Sequence, residues 1–163
     1  MISNSEFEFI KEKVFKLLDF ETDIQFELIE DEDVFVSYDG KLAKVSGTVK
    51  TNTARALTLF VKNIRENKKS FTVDEKKHFD SLGFGLDVSR NAVMRVECIK
   101  EYIDVLASLG FDAFMLYMED VFELAGYPYF GYRRGRYTLE ELKEIDDYAY
   151  SLGVEVVPSV QTL

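Results

Sequence analysis

The sequence predicts an α/β protein in which a small N-terminal α+β unit precedes a parallel β-α-β-α-β unit. The tripeptide Ser-Leu-Gly occurs three times, and each copy directly precedes a short apolar run, at 84–88, 111–117 and 154–157. Apolar residues at helical spacing occupy the intervals between these runs. Strands that alternate with helices are typical of a parallel sheet, because parallel strands need a crossover connection.

Local signals define the elements of the C-terminal half. The run 111–117 is almost continuously apolar, as expected of a strand buried on both faces. A helix with one apolar face is predicted before it, over 96–109. Thr138 and Glu141 form a Thr-x-x-Glu capping box, which predicts the start of a second helix. Gly153 predicts the end of that helix, since glycine adopts the left-handed conformation at low cost.

The N-terminal half predicts a hairpin between two helices. The predicted elements are a helix at 5–18, strands at 34–38 and 42–49, a helix that follows a Thr-Asn-Thr cap at 51–53, and a short strand at 70–73. The Asp39-Gly40 dipeptide marks the hairpin turn. Together they indicate an antiparallel sheet with helices on one face. The charged connector 75–83 predicts a boundary between an α+β domain at 1–80 and a second domain at 81–163.

Charge and composition narrow the classes of function. The 163 residues carry a formal net charge of −10, which argues against nucleic acid or an anionic membrane as a partner. No apolar run approaches the roughly 18 residues of a membrane span, and the first residues lack the basic and apolar regions of a signal peptide. The single cysteine excludes an internal disulfide. We therefore expect a cytoplasmic protein.

No motif predicts a metal or another cofactor. His78 is the sole histidine, and it has no cysteine or histidine partner at the spacing of a zinc site. The chain contains neither a Gly-x-Gly-x-x-Gly nor a Walker A sequence. We expect no cofactor.

Polar residues follow the predicted parallel strands, at the edge where α/β folds bind ligands. Asp87 lies near the end of the first strand, and Glu119 and Asp120 follow the second. Arg90 comes just after the first strand, where a guanidinium can bind two vicinal hydroxyls or a carboxylate. The alternative is structural: the acids cap loops, and Arg90 forms a salt bridge with Asp87 or Glu119.

The loop 127–137 is rich in tyrosine and arginine. One hypothesis is that its rings stack on sugar or base rings. The other is that they cover the top of the α/β unit.

Several segments resemble glycoside hydrolase family 20, the β-N-acetylhexosaminidases. Segment 135–158, from Gly-Arg-Tyr-Thr-Leu-Glu-Glu-Leu to Val-Val-Pro, is similar to the segment that leads into the third barrel strand of that family. Leu-Asp-Val-Ser-Arg at 86–90 resembles the first barrel strand. Segments 116–120 and 128–135 resemble the exo-β-N-acetylglucosaminidase branch.

The resemblance implies a fold, an activity and a site. The fold would be a small α+β domain followed by the first three strands of a TIM (β/α)8 barrel. The activity would be hydrolysis of terminal β-linked N-acetylglucosamine or N-acetylgalactosamine, by a retaining mechanism in which the substrate's acetamido group participates. Arg90 would bind sugar hydroxyls, with Asp87, Glu119 and Asp120 as the other substrate-binding residues.

Three features depart from the family pattern. The family's catalytic Asp-Glu pair follows the fourth barrel strand, and no such dipeptide follows Pro158. The chain has no tryptophan to line a sugar pocket. A complete barrel needs about 250 residues, whereas only about 80 residues follow position 83 in this chain. We therefore expect an N-terminal fragment, by itself inactive and without catalytic residues.

Two other hypotheses stay open. The chain is either a non-catalytic carbohydrate-binding or protein-interaction module, or a small open α/β domain of flavodoxin type. If the chain is instead a family 20 fragment, the partner of the parent enzyme is a glycan that contains N-acetylhexosamine. A barrel cut after its third strand would leave open apolar strand edges, so we expect the fragment to form a homo-oligomer.

Overall fold

The computed structural model describes residues 1–90 and 92–161, so Asn91, Thr162 and Leu163 lie outside the described residues. The elements in chain order are α1 (Asn4–Leu17), β1 (Gln25–Ile29), β2 (Val34–Tyr38), β3 (Leu42–Ser46), α2 (Lys50–Arg65), β4 (Phe71–Glu75), β5 (Gly83–Asp87), α3 (Val96–Leu109), β6 (Ala113–Tyr117), α4 (Leu139–Leu152) and β7 (Glu155–Ser159). An α+β unit therefore precedes a β-α-β-α-β unit, as predicted.

The first sheet is mixed, with the strand order β1-β3-β2-β4. The predicted hairpin is present, because β2 runs antiparallel to β3, and β4 runs antiparallel to β2. The expectation of an antiparallel sheet is wrong at one edge, where β1 runs parallel to β3. Strand β1 does not pair with β2, the strand that follows it. It pairs with the far strand of the hairpin, a contact that no local pattern encodes.

Helix α2 packs against this sheet. Phe60 is fully buried, and its ring lies 4.9 Å from the ring of Phe26 and 5.8 Å from that of Tyr38. Aromatic pairs at such distances add to the stability that burial provides. The core of the N-terminal unit therefore forms around Phe60.

The predicted Thr-Asn-Thr cap of this helix is wrong. Helix α2 begins at Lys50 with Val49 in the N-cap position, and no side chain caps it. Thr53 lies inside the helix and is completely buried, and its hydroxyl donates to the carbonyl of Ser46 at 2.7 Å. The hydroxyl is satisfied by β3, which is how a buried threonine is tolerated there.

The second sheet is parallel throughout, in the order β5-β6-β7. The capping box of α4 is confirmed: the hydroxyl of Thr138 accepts from the backbone N–H of Glu141 at 3.1 Å, and the Glu141 carboxylate accepts from the N–H of Thr138 at 2.8 Å. Gly153 ends the helix with φ +80°, as predicted. Strand boundaries differ from the predicted runs by one or two residues, as is usual.

The two units pack through their helices. Helix α2 contacts α3, and α1 reaches α4, where the rings of Phe9 and Tyr148 lie 6.4 Å apart. The ammonium of Lys50 donates to the carbonyl of Tyr150 at 3.2 Å. The buried apolar residues of both units form one continuous cluster. At the carboxyl ends of the parallel strands, Asp87 is exposed, and Tyr117 and Ser159 are partly exposed.

No helix among the described residues is long and apolar enough to cross a membrane.

Candidate functional site

The carboxyl ends of the three parallel strands form the candidate site. Asp87 is in register with Tyr117, and Tyr117 is in register with Ser159, so the last residues of β5, β6 and β7 lie side by side. Ligands bind at this edge in parallel α/β folds. The polar residues predicted from the sequence follow these strand ends directly.

Asp87 is held by the turn that follows β5. One carboxylate oxygen accepts from the backbone N–H of Ser89 at 2.9 Å and from its hydroxyl at 2.7 Å. The other pairs with the guanidinium of Arg90. The hydrogen bonds from Ser89, followed by the contact with Arg90, lower the pKa of Asp87 to about 2. Asp87 is therefore ionised at neutral pH and fixes the position of Arg90.

Arg90 is paired and still accessible. Its side chain is 72% exposed, and its guanidinium lies 5.6 Å from the centre of the Tyr117 ring. The carboxylate of Asp87 raises the pKa of Arg90 above its ordinary value. An arginine carries five N–H donors in a planar fork, and Asp87 uses only one side of it. The remaining donors face solvent at the edge of the sheet, oriented by two neighbours.

Tyr117 is the centre of the site, and sequence reasoning missed it. Its hydroxyl lies 2.6 Å from Oε1 of Gln161 and 3.2 Å from Oε1 of Glu119. Desolvation, and then the nearby Glu119 carboxylate, raise the pKa of Tyr117. In the sequence, Tyr117 is only the last residue of an apolar run. The one signal available in the sequence was a tyrosine hydroxyl at a strand end.

Glu119 and Asp120 are adjacent in sequence but point to different places. Glu119 adopts a positive φ of 49°, which turns the chain directly after β6. Its carboxylate stays beside Tyr117, whereas an oxygen of Asp120 lies 3.2 Å from the guanidinium of Arg134. The structure therefore groups Asp87, Arg90 and Glu119 around Tyr117. It places Asp120 against the loop that follows β6.

This loop, 127–137, is the aromatic loop. Its tyrosines fall into two groups. Tyr127, Tyr129 and Tyr132 are 65%, 81% and 58% exposed, whereas Tyr137 is 2% exposed. The hydroxyl of Tyr137 donates to the carbonyl of Met94 at 2.6 Å, and burial raises the pKa of Tyr137 to about 12. Tyr137 fits the hypothesis that the loop covers the top of the α/β unit. The three exposed rings are free to contact a ligand, and the stacking hypothesis stays a prediction.

Within residues 1–90 and 92–161, no cluster of histidine, cysteine and carboxylate side chains has the arrangement of a metal site. His78 is exposed in the connector between β4 and β5, at the opposite end of the parallel strands.

Neither a protein-family model nor a curated protein sequence matches the chain. Solved structures do match. A family 20 β-N-acetylglucosaminidase superposes with a TM-score of 0.74 at 24% identity, over 91% of this chain and 36% of its own. The family 20 exo-β-N-acetylglucosaminidase from Vibrio harveyi gives a TM-score of 0.74 at 18% identity, over 95% of this chain and 30% of its own.

A protein from another family has a similar fold. A family 138 glycoside hydrolase that targets pectin rhamnogalacturonan II gives a TM-score of 0.66 at 14% identity, over 100% of this chain and 24% of its own. The chain therefore spans about a third or less of the length of the enzymes it matches. The α+β unit and the β-α-β-α-β unit of this chain together have the fold of the matched third of the family 20 β-N-acetylglucosaminidases, as the sequence resemblance implied.

Proposed function

We propose that this chain is part of a family 20 β-N-acetylhexosaminidase and supplies part of its sugar-binding site. The observation that carries the proposal is Arg90, exposed at the carboxyl edge of the sheet and oriented by Asp87 and Tyr117. The substrate class is a glycan with a terminal β-linked N-acetylglucosamine or N-acetylgalactosamine. The fold shared with family 20 enzymes supports this reading.

The chemistry of the edge fits a sugar. Vicinal hydroxyls accept hydrogen bonds from a guanidinium fork, and they donate to carboxylates. Arg90 and Glu119 provide these two complementary groups just after neighbouring strands, and both contact Tyr117. A ligand hydroxyl that accepts from Arg90 can donate to Glu119. Hydrogen bonds of this kind to charged groups are stronger than neutral ones.

The three parallel strands would be the first three of a (β/α)8 barrel, preceded by an α+β domain at 1–80. In the family's reaction the substrate's acetamido oxygen attacks the anomeric carbon, which an Asp-Glu pair after the fourth strand assists. Residues 159–163, Ser-Val-Gln-Thr-Leu, contain no such pair. We therefore expect residues 1–163 to bind sugar without hydrolysing the glycosidic bond.

The test measures binding of N-acetylglucosamine to the chain through changes in the backbone amide chemical shifts in NMR. Arg90→Ala should weaken binding about tenfold to a hundredfold, as expected for a lost hydrogen bond to a charged group of about 1.5–3 kcal/mol. Arg95→Ala is the matched control, because Arg95 is exposed at the start of α3. Equal affinities of the two variants would assign Arg90 to a structural salt bridge.

A second candidate function is carbohydrate binding without catalysis, which the exposed tyrosines of the aromatic loop favour. An assay of the natural gene product that carries this chain, with a chromogenic β-N-acetylglucosaminide as substrate, distinguishes the hydrolase from the binding module. Turnover that falls by orders of magnitude in Arg90→Ala supports the hydrolase. Sugar binding with no turnover by the whole product supports the binding module.

A further inference from the structure

We propose that the aromatic loop is an accessory sugar subsite, which stacks on the pyranose rings of an oligosaccharide beyond the residue held at Arg90. This inference rests on the proposed function for its substrate class. It concerns different residues, Tyr129 and Tyr132 above all. It also predicts a different property, a preference for oligosaccharides over the monosaccharide.

The loop exposes three tyrosine rings. Tyr129 and Tyr132 lie 5.9 Å apart with their rings at 76°, and they are 81% and 58% exposed. Tyr127, a few residues earlier, is 65% exposed. Aromatic side chains bury a large area in most interfaces, so a cluster of exposed rings is typical of a binding surface.

The loop is held rigidly enough to present these rings. Successive turns close it, with the N–H of Phe130 bonded to the carbonyl of Tyr127 at 3.0 Å and that of Tyr132 to Tyr129 at 3.1 Å. Phe130 points inward, with its ring 5.1 Å from that of Phe122. The guanidinium of Arg136 donates to the Phe130 carbonyl at 2.7 Å. Fixing the backbone before binding lowers the entropic cost of binding.

The loop also lies against the segment that carries Arg90. A Cβ atom built on Gly135 would lie 3.1 Å from Cβ of Val93, and the hydroxyl of Tyr137 bonds to Met94. Val93 and Met94 follow Arg90 on the connection from β5 to α3. The end of the loop at Gly135 and Tyr137 is therefore attached to the connection that carries Arg90, so the proposed subsite adjoins the segment of Arg90.

The chemistry of the rings favours a sugar over other partners. The rings that the loop exposes most are tyrosines, and the Arg133 guanidinium lies 5.4 Å from the centre of the Tyr132 ring. Flat apolar faces bordered by hydrogen-bonding groups match a pyranose, which has apolar C–H faces and a rim of hydroxyls. The loop carries Arg133, Arg134 and Arg136, but the last two pair with Asp120 and Glu123, and the net charge of −10 disfavours a nucleic acid.

The test compares two probes, N-acetylglucosamine and triacetylchitotriose, by isothermal titration calorimetry with the whole chain. We expect the trisaccharide to bind more tightly than the monosaccharide. Tyr129→Ala and Tyr132→Ala should each reduce trisaccharide affinity about fivefold to tenfold, the range of one aromatic contact. Monosaccharide affinity should stay within about twofold of the wild type. Tyr129→Phe, which keeps the ring, should bind like the wild type.

Tyr150→Ala is the matched control, since Tyr150 is 75% exposed on α4 and outside the loop. Thermal denaturation of each variant verifies that it folds. A trisaccharide that binds no more tightly than the monosaccharide, or not at all, overturns the proposal. So do Tyr129→Ala and Tyr132→Ala variants of full trisaccharide affinity, which would leave the loop for a protein partner.

The outcomes also separate this inference from the proposed function. If Arg90→Ala has no effect on monosaccharide binding while Tyr129→Ala still weakens trisaccharide binding, the Arg90 assignment fails and the subsite stands. If Arg90→Ala weakens the binding of both ligands equally and Tyr129→Ala weakens the binding of neither, the Arg90 assignment stands and the subsite fails.

Discussion

Removal of one buried hydroxyl should loosen the candidate site at its support. Tyr137 begins the segment that leads into α4, and its hydroxyl donates to the carbonyl of Met94 at 2.6 Å. The bond joins the connection that follows β5 to the one that follows β6, with Tyr137 only 2% exposed. Tyr137→Phe keeps the ring in the core and deletes this bond alone.

The cost follows from burial. A hydrogen bond contributes about 0.5–1.5 kcal/mol, and a carbonyl left buried without a partner costs about 1–3 kcal/mol. We expect Tyr137→Phe to lower the free energy of unfolding by about 1–2 kcal/mol, with one unpaired acceptor as the main term. For a chain of this size, that corresponds to a loss of roughly 2–8 °C in melting temperature.

The same residue predicts an alkaline dependence. Burial raises the pKa of Tyr137 from 10.0 to about 12, so the folded state keeps its proton longer than the unfolded state does. The stability that Tyr137 contributes is therefore complete below pH 10 and is lost as the pH rises from 10 towards 12. The stability difference between the wild type and Tyr137→Phe should narrow over that interval.

Urea denaturation, monitored by circular dichroism, measures the stability of the wild type and of Tyr137→Phe. The measurement is made at about pH 8 and at steps between about pH 9 and 12, so it also gives the pH dependence of the difference. Tyr132→Phe is the matched control: it removes a hydroxyl from a tyrosine that is 58% exposed. It should change stability by less than about 0.5 kcal/mol. Equal stabilities of the two variants at the lowest of these pH values would refute the role assigned to the bond with Met94.

Three further predictions concern the loop, a helix and the open strands. Gly131→Ala should destabilise the chain by about 1–3 kcal/mol in urea denaturation, because φ is +62° and the new Cβ would lie 2.2 Å from the Asp120 carbonyl oxygen. Gly126→Ala, with φ +83° and no atom within 4 Å, should cost less, and equal costs would exclude the clash. Thr138→Ala should cost about 1 kcal/mol by the same measurement, since it removes the capping bond to Glu141; an unchanged midpoint would contradict this. The chain should self-associate through the open edges of β5 and β7. Light scattering after size-exclusion chromatography, over a dilution series, measures its mass. A monomer at every concentration would contradict this prediction.

Local signals predicted the elements that local physics determines. Helix α4 was predicted at both ends, because the side chain of Thr138 and the backbone of Gly153 act within one turn of the helix. Strand β1 was missed although Gln-Phe-Glu-Leu alternates between polar and apolar residues, because the run is short and its partner β3 is not the next strand in the sequence. The cap of α2 was misplaced because Thr-Asn-Thr has the residue types of a cap, whereas the Thr53 hydroxyl donates to the carbonyl of Ser46 at the end of β3.

The site shows the same division. The contact of Asp87 with Arg90 follows from their spacing after a strand, and the sequence hypotheses included it. The contact of Tyr117 with Gln161 depends on the register of β6 against β7, which no local pattern determines. The different directions of Glu119 and Asp120 depend on the positive φ of Glu119. A pair of adjacent acids therefore says little about which of them faces a ligand.

The carboxylates at this edge divide two tasks between them. Asp87 and Asp120 each meet an arginine, but Asp87 leaves Arg90 72% exposed, whereas Asp120 pairs with Arg134, which is 36% exposed and lies within the aromatic loop. The first pair orients a group that solvent, or a ligand, can reach. The second pair holds the loop against the end of β6. Because Tyr137 also ties this loop to the segment after Arg90, a change in the position of the loop would move both parts of the edge together. Binding at Arg90 and stacking on the exposed tyrosines should therefore depend on one shared support, and Tyr137→Phe should weaken trisaccharide binding more than monosaccharide binding.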